Sequence, residues 1–144
     1  MLTPTPSTER TRSAREEASS MSVVLTMPWP PSVNRYWRHI TRGALAGRVL
    51  ISREGRVFRE SVRAAVLQAR VPRVEGRLRV RVIAYPPDRR ARDLDNLLKA
   101  PLDALQHCGI IADDSAIDAL VIERAHVIPD GALTVSVSSY AETQ

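Results

Sequence analysis

The chain is short of cysteine, lysine and aromatic residues, and each shortage excludes something. Its 144 residues hold one cysteine, Cys108. No internal disulfide can close the fold, which fits a reducing cytoplasm. His107 stands beside Cys108, but His39 and His126 lie far off in sequence and no second metal-binding pair exists. The spacing of a zinc site is therefore missing. Cys108 reads instead as a small core residue near a helix end. No apolar run approaches the roughly 18 residues needed to cross a bilayer. The opening stretch, MLTPTPSTERTRSAREEASS, lacks the apolar segment of a secretory signal. Lysine occurs once, at Lys99, against twenty arginines.

What is present is a core and an uneven charge. Hydrophobic residues make up 44% of the chain, enough for one domain with one core. The formal net charge is +5, but its distribution says more. Residues 35–92 hold sixteen arginines against four acids, whereas residues 93–144 hold nine acids against Lys99 and Arg124. A basic block beside an acidic one suits a polyanion held by one surface and worked on by another. The plainer reading is an arginine-rich chain with solvated helix faces.

Residues 1–20 have almost nothing to bury and are expected to form a disordered tail. Met21 is a candidate natural start, and residues 21–144 make the domain. SVVLTMPW (22–29) is expected as the first strand, and residues 32–51 as a polar loop. SREGRVFRESVRAAVLQAR (52–70) has helical spacing, with Ser52 as its N-cap. Val57, Ser61, Ala64, Ala65 and Gln68 form one stripe, and Phe58, Val62 and Val66 lie beside it. RLRVRVIAY (77–85) alternates, with Leu78, Val80 and Val82 on one face and Arg77, Arg79 and Arg81 on the other. The arginine face either touches a polyanion or keeps the sheet soluble.

A second helix is expected at about 94–107, closed by Gly109; at Pro101 either it kinks or a looser turn precedes a helix that starts there, and the continuous stripe of Leu97, Leu98, Leu102 and Leu105 favours the kink. Strands follow at 116–128 and 132–140, joined by the turn PDG. The order is β-α-β-α-β-β. It predicts an α+β domain with a mixed sheet of about four strands and two main helices. The strands flanking the second helix should be parallel, and the last two should form an antiparallel hairpin.

Chemistry concentrates in RRARDLDNLLKAPLDAL (89–105). Asp93 and Asp95 flank Leu94, so in an extended segment both carboxylates share one face. Lys99 follows Asp95 by four residues, on the same face of a helix. IIADDS then supplies Asp113 and Asp114 before a strand. These acids meet only if the helix folds back closely. If they do meet, the crowded carboxylates call for a divalent cation, and oxygen-only ligands suit Mg²⁺ or Mn²⁺ rather than zinc. A compact ammonium can set a point charge beside a scissile phosphate, and unlike a guanidinium it can give up a proton. The plain alternative is ordinary capping by Asp93, an Asp95–Lys99 ion pair and a DD turn.

RDLDNLLKAPLDAL followed by ADDS resembles the signature of the RusA-type Holliday junction resolvases, the crossover junction endodeoxyribonucleases. MPWPPSVNRYWRH and SREGRVFRESV resemble that family's preceding segments, in the same order, over residues 22–140. The resemblance implies a small homodimeric enzyme that binds four-way DNA junctions and nicks two opposed strands symmetrically with Mg²⁺ or Mn²⁺. It implies catalytic roles for Asp93, Asp95, Asp114 and Lys99. Asp93, Asp95 and Asp114 would be metal ligands, with Asp113 a further candidate and Asn96 beside them. The chain departs from many relatives in having Ile110, Ile111 and Ala112, not an aromatic residue, before the paired acids, and in carrying Pro101.

Asn34, Arg35 and Arg38 alternate with Tyr36 and Trp37. That mixture suits phosphate contact and stacking, or else aromatics that cover the core. Arg89, Arg90 and Arg92 are the expected backbone-phosphate contacts beside the acids. Two competing readings stand: a junction-binding protein without catalysis on the same fold, and a small basic adaptor whose acids only cap helices.

Overall fold

The computed structural model describes residues 21–140; the expected tail at 1–20 lies outside the described residues. β1 (Ser22–Pro28) buries every second residue, namely Val23, Leu25 and Met27. It is an edge strand, where the missing N–H of Pro28 is tolerated.

The polar loop expected at 32–51 is more ordered than its composition suggests. It holds a one-turn helix α1 (Val33–Tyr36) and a small antiparallel hairpin, β2 (Trp37–His39) with β3 (Val49–Ile51). Short β-branched and aromatic runs at its two ends pair, and the polar middle turns between them.

α2 (Arg53–Ala69) begins where Ser52 predicts: its hydroxyl oxygen accepts from the Gly55 amide at 3.0 Å. Phe58, Val62 and Val66 are its buried face. Of the two adjacent stripes it is thus the second that meets the core; Val57 and Ser61 are exposed. Gly55 is buried and must be glycine, since a Cβ there would come within 3.0 Å of the Tyr36 carbonyl oxygen and 2.7 Å of Ile51 Cγ1. The start of α2 therefore lies directly against α1 and β3.

β4 (Leu78–Tyr85) alternates as expected, with Leu78, Val80, Val82 and Ala84 buried. Each such side chain removed from water contributes about 1–3 kcal/mol. β5 (Ile117–Arg124) runs parallel to β4, as the helical crossover between them requires. β6 (Ala132–Ser139) does not form the expected hairpin with β5. It pairs antiparallel with both β1 and β4, and the sheet order is β1-β6-β4-β5. Burial explains the choice: β6 presents Leu133, Val135 and Val137 fully inside, whereas β5 is largely exposed and takes the edge. The connection passes over the end of β4, where the Ile128 amide donates to the Pro86 carbonyl at 3.0 Å.

The second helix is not one kinked rod over 94–107. A 3₁₀ turn, Leu94–Leu97, precedes α3 (Lys99–His107). Pro101 thereby occupies the first turn of α3, where its missing N–H has no helical acceptor to lose. The Leu102 amide makes the first α-type bond, to the Leu98 carbonyl at 3.1 Å. Gly109, at φ 76°, ends α3 as expected, and the Ile110 amide returns to the Leu105 carbonyl at 3.0 Å. The product is an α+β domain with a mixed four-stranded sheet. Its apolar face shares one core with α2 and α3.

Candidate active site

The turn at 93–97 is pinned from inside and open outside. Leu97 is buried and Leu94 is packed against the core, while Asp93 and Asp95 are exposed. Asp93 is extended, at φ −83° and ψ 131°, and its side chain makes no capping hydrogen bond. Asp95 and Lys99 form no ion pair; neither occurs in the salt bridges among the described residues. The reason is the 3₁₀ turn. With about three residues per turn, positions four apart do not share a face. The two carboxylates are therefore not consumed by the ordinary structural tasks that the sequence also allowed.

Lys99 opens α3 and is half-buried. Its Nζ lies 5.4 Å from the centre of the Trp37 ring. α1 packs against both the 3₁₀ turn and α3, so Asn34, Arg35 and Arg38, all exposed, stand on the segment next to the acids. Tyr36 is wholly buried, which fits the core-covering reading for that aromatic.

Asp113 and Asp114 precede and open a second 3₁₀ turn, Asp114–Ala116. Asp113 does act as a cap, accepting from the Ser115 amide at 3.5 Å. Hydrogen bonding with Asp114, then with Ser115, holds the Asp113 carboxyl below the usual carboxylate range. The pair is not brought to the first two acids by this chain. Ile117, which starts β5, pairs with Leu78, which starts β4. Asp114 therefore lies at the starting end of the two strands. Asp93 lies beyond their finishing end, where the Arg124 guanidinium donates to the Arg92 carbonyl. Among the described residues no three His, Cys, Asp or Glu side chains converge to hold a metal.

The arginines differ in how closely they are held. Arg92 Nη1 donates to Asp88 Oδ1 at 2.7 Å, and its guanidinium lies 5.5 Å from the centre of the Trp29 ring. Hydrogen bonds from the Arg92 side chain first, then from the Arg90 amide, pull Asp88 down to about 2. Arg89 and Arg90 are exposed, and Arg90 Nε lies 3.8 Å from Asp88 Oδ2 in a looser ion pair. With Trp29, Arg124 and His126 they line a cleft of about 540 Å³ that reaches Leu94 and Leu97. Trp29, Arg124 and His126 were not picked out for this surface from sequence. Only the tryptophan between prolines offered a hint, since the other two arrive through the long-range placement of β5.

The stripe on β4 is mostly spoken for. Arg77 pairs with Asp118 and Arg81 with Glu123 across to β5, and Arg79 lies 5.0 Å from the Tyr140 ring centre. Those contacts favour the structural reading of that face.

Residues 28–138 match the family described as Endodeoxyribonuclease RusA. The chain is 39% identical over 113 residues to the crossover junction endodeoxyribonuclease rusA of Enterobacteria phage HK97, covering 78% of this chain and 90% of that protein. It is 36% identical over 115 residues to the crossover junction endodeoxyribonuclease RusA of Escherichia coli (strain K12), covering 79% and 92%.

Proposed function

Since the chain belongs to the RusA family of endodeoxyribonucleases, we propose that it is a junction-resolving nuclease that binds four-way DNA and hydrolyses a phosphodiester in each of two opposed strands. The observation that carries this reading is the turn at 93–97. Leu94 and Leu97 fix it to the core, and it presents two exposed carboxylates with no structural partner, beside the single lysine.

In this reading Asp93 and Asp95 hold Mg²⁺, with Mn²⁺ as a substitute, because their oxygens suit a hard cation. One chain gathers no third ligand of the required type among the described residues, so a single copy does not by itself fit the ion. The homodimer answers that shortfall. Asp114 from a second copy, with Asp113 beside it, would complete the set across a two-fold axis. The same axis gives one site per copy and so two symmetric nicks. No helix among the described residues is long and apolar enough to cross a membrane, and the cytoplasm is the proposed compartment.

The chain's own groups have separable tasks. Arg89 and Arg90, with Asn34, Arg35 and Arg38, bind backbone phosphates and set register without reading sequence. Arg92 shapes the wall between them and the acids. Lys99 sets a point charge against the scissile phosphate, where negative charge accumulates as the bond breaks.

The test is cleavage of a synthetic four-way junction with Mg²⁺ or Mn²⁺, against a linear duplex of the same sequence. Paired nicks at opposed positions are expected on the junction only. Tight junction binding with no cleavage under either metal would replace this reading with that of a binding protein.

A further inference from the structure

Lys99 is the one lysine, and its surroundings are unusual for a charged side chain. It is half-buried and has no ion-pair partner among the described residues. Its ammonium instead faces the Trp37 ring at 5.4 Å. A tryptophan face attracts a cation through its quadrupole. It does so without supplying a counter-charge; the Asp103 carboxylate feels the ammonium's field but forms no ion pair with it, so the N–H donors stay available for another anion. A carboxylate in the same place would compete with that anion.

The ring is itself held. Tyr36, next in sequence, packs edge-on against Trp37, with ring centres 4.9 Å apart and planes at 84°. The Tyr36 hydroxyl donates to Asp103 Oδ2. Asp103 lies one turn after Lys99 on α3. Its Oδ2 also accepts from Arg59 Nε of α2 at 2.7 Å, and Arg59 Nε reaches the Tyr36 hydroxyl oxygen at 3.2 Å. One knot of three polar groups therefore joins α1, α2 and α3 beside the lysine. Tyr36 is fully buried, so the α1–β2 junction that carries Trp37 cannot shift without breaking this knot.

We propose that Trp37 is a positioning residue for Lys99, its ring face fixing the ammonium next to the Asp93–Asp95 turn, and that the Tyr36–Asp103–Arg59 knot fixes Trp37 in turn. This rests on Lys99 acting at the reacting phosphate. A lysine stem has four rotatable bonds, and a solvated one spreads over many rotamers. Placement within about 1 Å matters on the order of a hundredfold in rate. The ring narrows the spread while the charge stays available.

The test is single-turnover cleavage of a saturating four-way junction with Mg²⁺, with junction affinity measured separately. The proteins are wild type, Trp37→Leu, Trp37→Phe, Lys99→Ala and the Trp37→Leu/Lys99→Ala double variant. Trp37→Leu should cleave on the order of tenfold more slowly, with junction affinity within about twofold of wild type. Trp37→Phe, which keeps a ring face, should restore most of the loss. In the Lys99→Ala background Trp37→Leu should cost nothing further, because the group it positions is gone. An equal loss in both backgrounds, or affinity falling in step with rate, would overturn the proposal and make Trp37 a DNA contact. Wild-type cleavage by Trp37→Leu while Lys99→Ala is slow would overturn it too. Near-normal cleavage by Lys99→Ala would instead overturn the reading on which it rests. If Trp37→Leu fails to fold by its melting curve, Tyr36→Phe replaces it. That variant removes one hydroxyl from the knot, and its rate loss must vanish in the same Lys99→Ala background; a loss that persists there overturns the proposal.

Discussion

Leu78 and Ile117 face each other at the starts of β4 and β5. That pairing separates the acids. Asp114 comes three residues before β5, while Asp93 comes eight residues after the end of β4. The two leave the parallel pair from opposite ends, and the proposed site, which needs both, would draw on two copies of the chain.

Asp93→Asn, Asp95→Asn and Asp114→Asn should each abolish cleavage and leave junction binding intact or tighter, since each removes a ligand charge and no phosphate-binding arginine. Mixing tests where the ligands come from. A dimer of one Asp93→Asn copy and one Asp114→Asn copy has one site with both defects and one with neither. Co-refolded mixtures should regain single nicking in the mixed dimers. Complete inactivity of a verified mixed dimer would return all three acids to one chain.

Asp103 gives a stability prediction. Its side chain and that of Arg59 are 19% and 23% exposed, so removing the carboxylate strands both Arg59 and the Tyr36 hydroxyl. Asp103→Ala should lose about 2 kcal/mol in a denaturant titration. Burial opposes ionisation of Asp103. Hydrogen bonds from Arg59 and Tyr36 and the fields of Arg59 and Lys99 outweigh it, so its pKa falls below the usual 3.8. The folded value is the lower one. The contribution is therefore fully present above the unfolded pKa and lost as pH falls through the folded value. The stability gap between wild type and Asp103→Asn should be flat from about pH 5 to 8 and should close below about pH 4. A gap that persisted at lower pH would mean the ionised carboxylate is not what stabilises the knot.

The arginines beside the acids should separate by burial: Arg92 is 22% exposed and Arg90, loosely paired with Asp88 at 3.8 Å, is 83% exposed. Arg89→Ala and Arg90→Ala remove exposed charges, so each should weaken junction binding, lower the salt slope by about one and leave the melting temperature unchanged. Arg92→Ala also removes the contact with the Trp29 ring and the bond to Asp88, and should lose about 1 kcal/mol of stability. Equal melting temperatures for all three variants would show that the Arg92 contacts are not stabilising.

Local physics was legible in the chain, and long-range placement was not. The alternation in β4, the Ser52 cap and the Gly109 stop each rest on a few adjacent residues, and each stands where the pattern puts it. The break before α3 is hidden because the apolar stripe of Leu97, Leu98, Leu102 and Leu105 continues through it and favours one kinked helix; only Pro101 marks the boundary. The place of β6 between β1 and β4 depends on which strand buries more, and no local pattern states that. The exposed acids and the lone lysine were visible as residues. The face-on approach of Trp37 to Lys99 was not, since 62 positions separate them and no periodicity spans that distance.

Lys99→Arg is the sharpest single substitution. It conserves charge, so junction binding driven by counterion release should barely change. Arginine is longer, planar and unable to lose a proton at working pH. The Trp37 face would accept a guanidinium as readily as an ammonium, so the ring contact can survive while the charge moves. If Lys99 serves the reacting phosphate, that displacement should lower single-turnover cleavage on the order of a hundredfold. A purely structural Lys99 would tolerate arginine, with a stability change of no more than about 0.5 kcal/mol and a near-normal rate. The ion pair with Asp95 that such a role required is absent, and this leaves the rate as the deciding measurement. Normal cleavage by Lys99→Arg would remove the lysine from the chemistry and leave the choice of lysine here, in a chain of arginines, without a mechanistic cause.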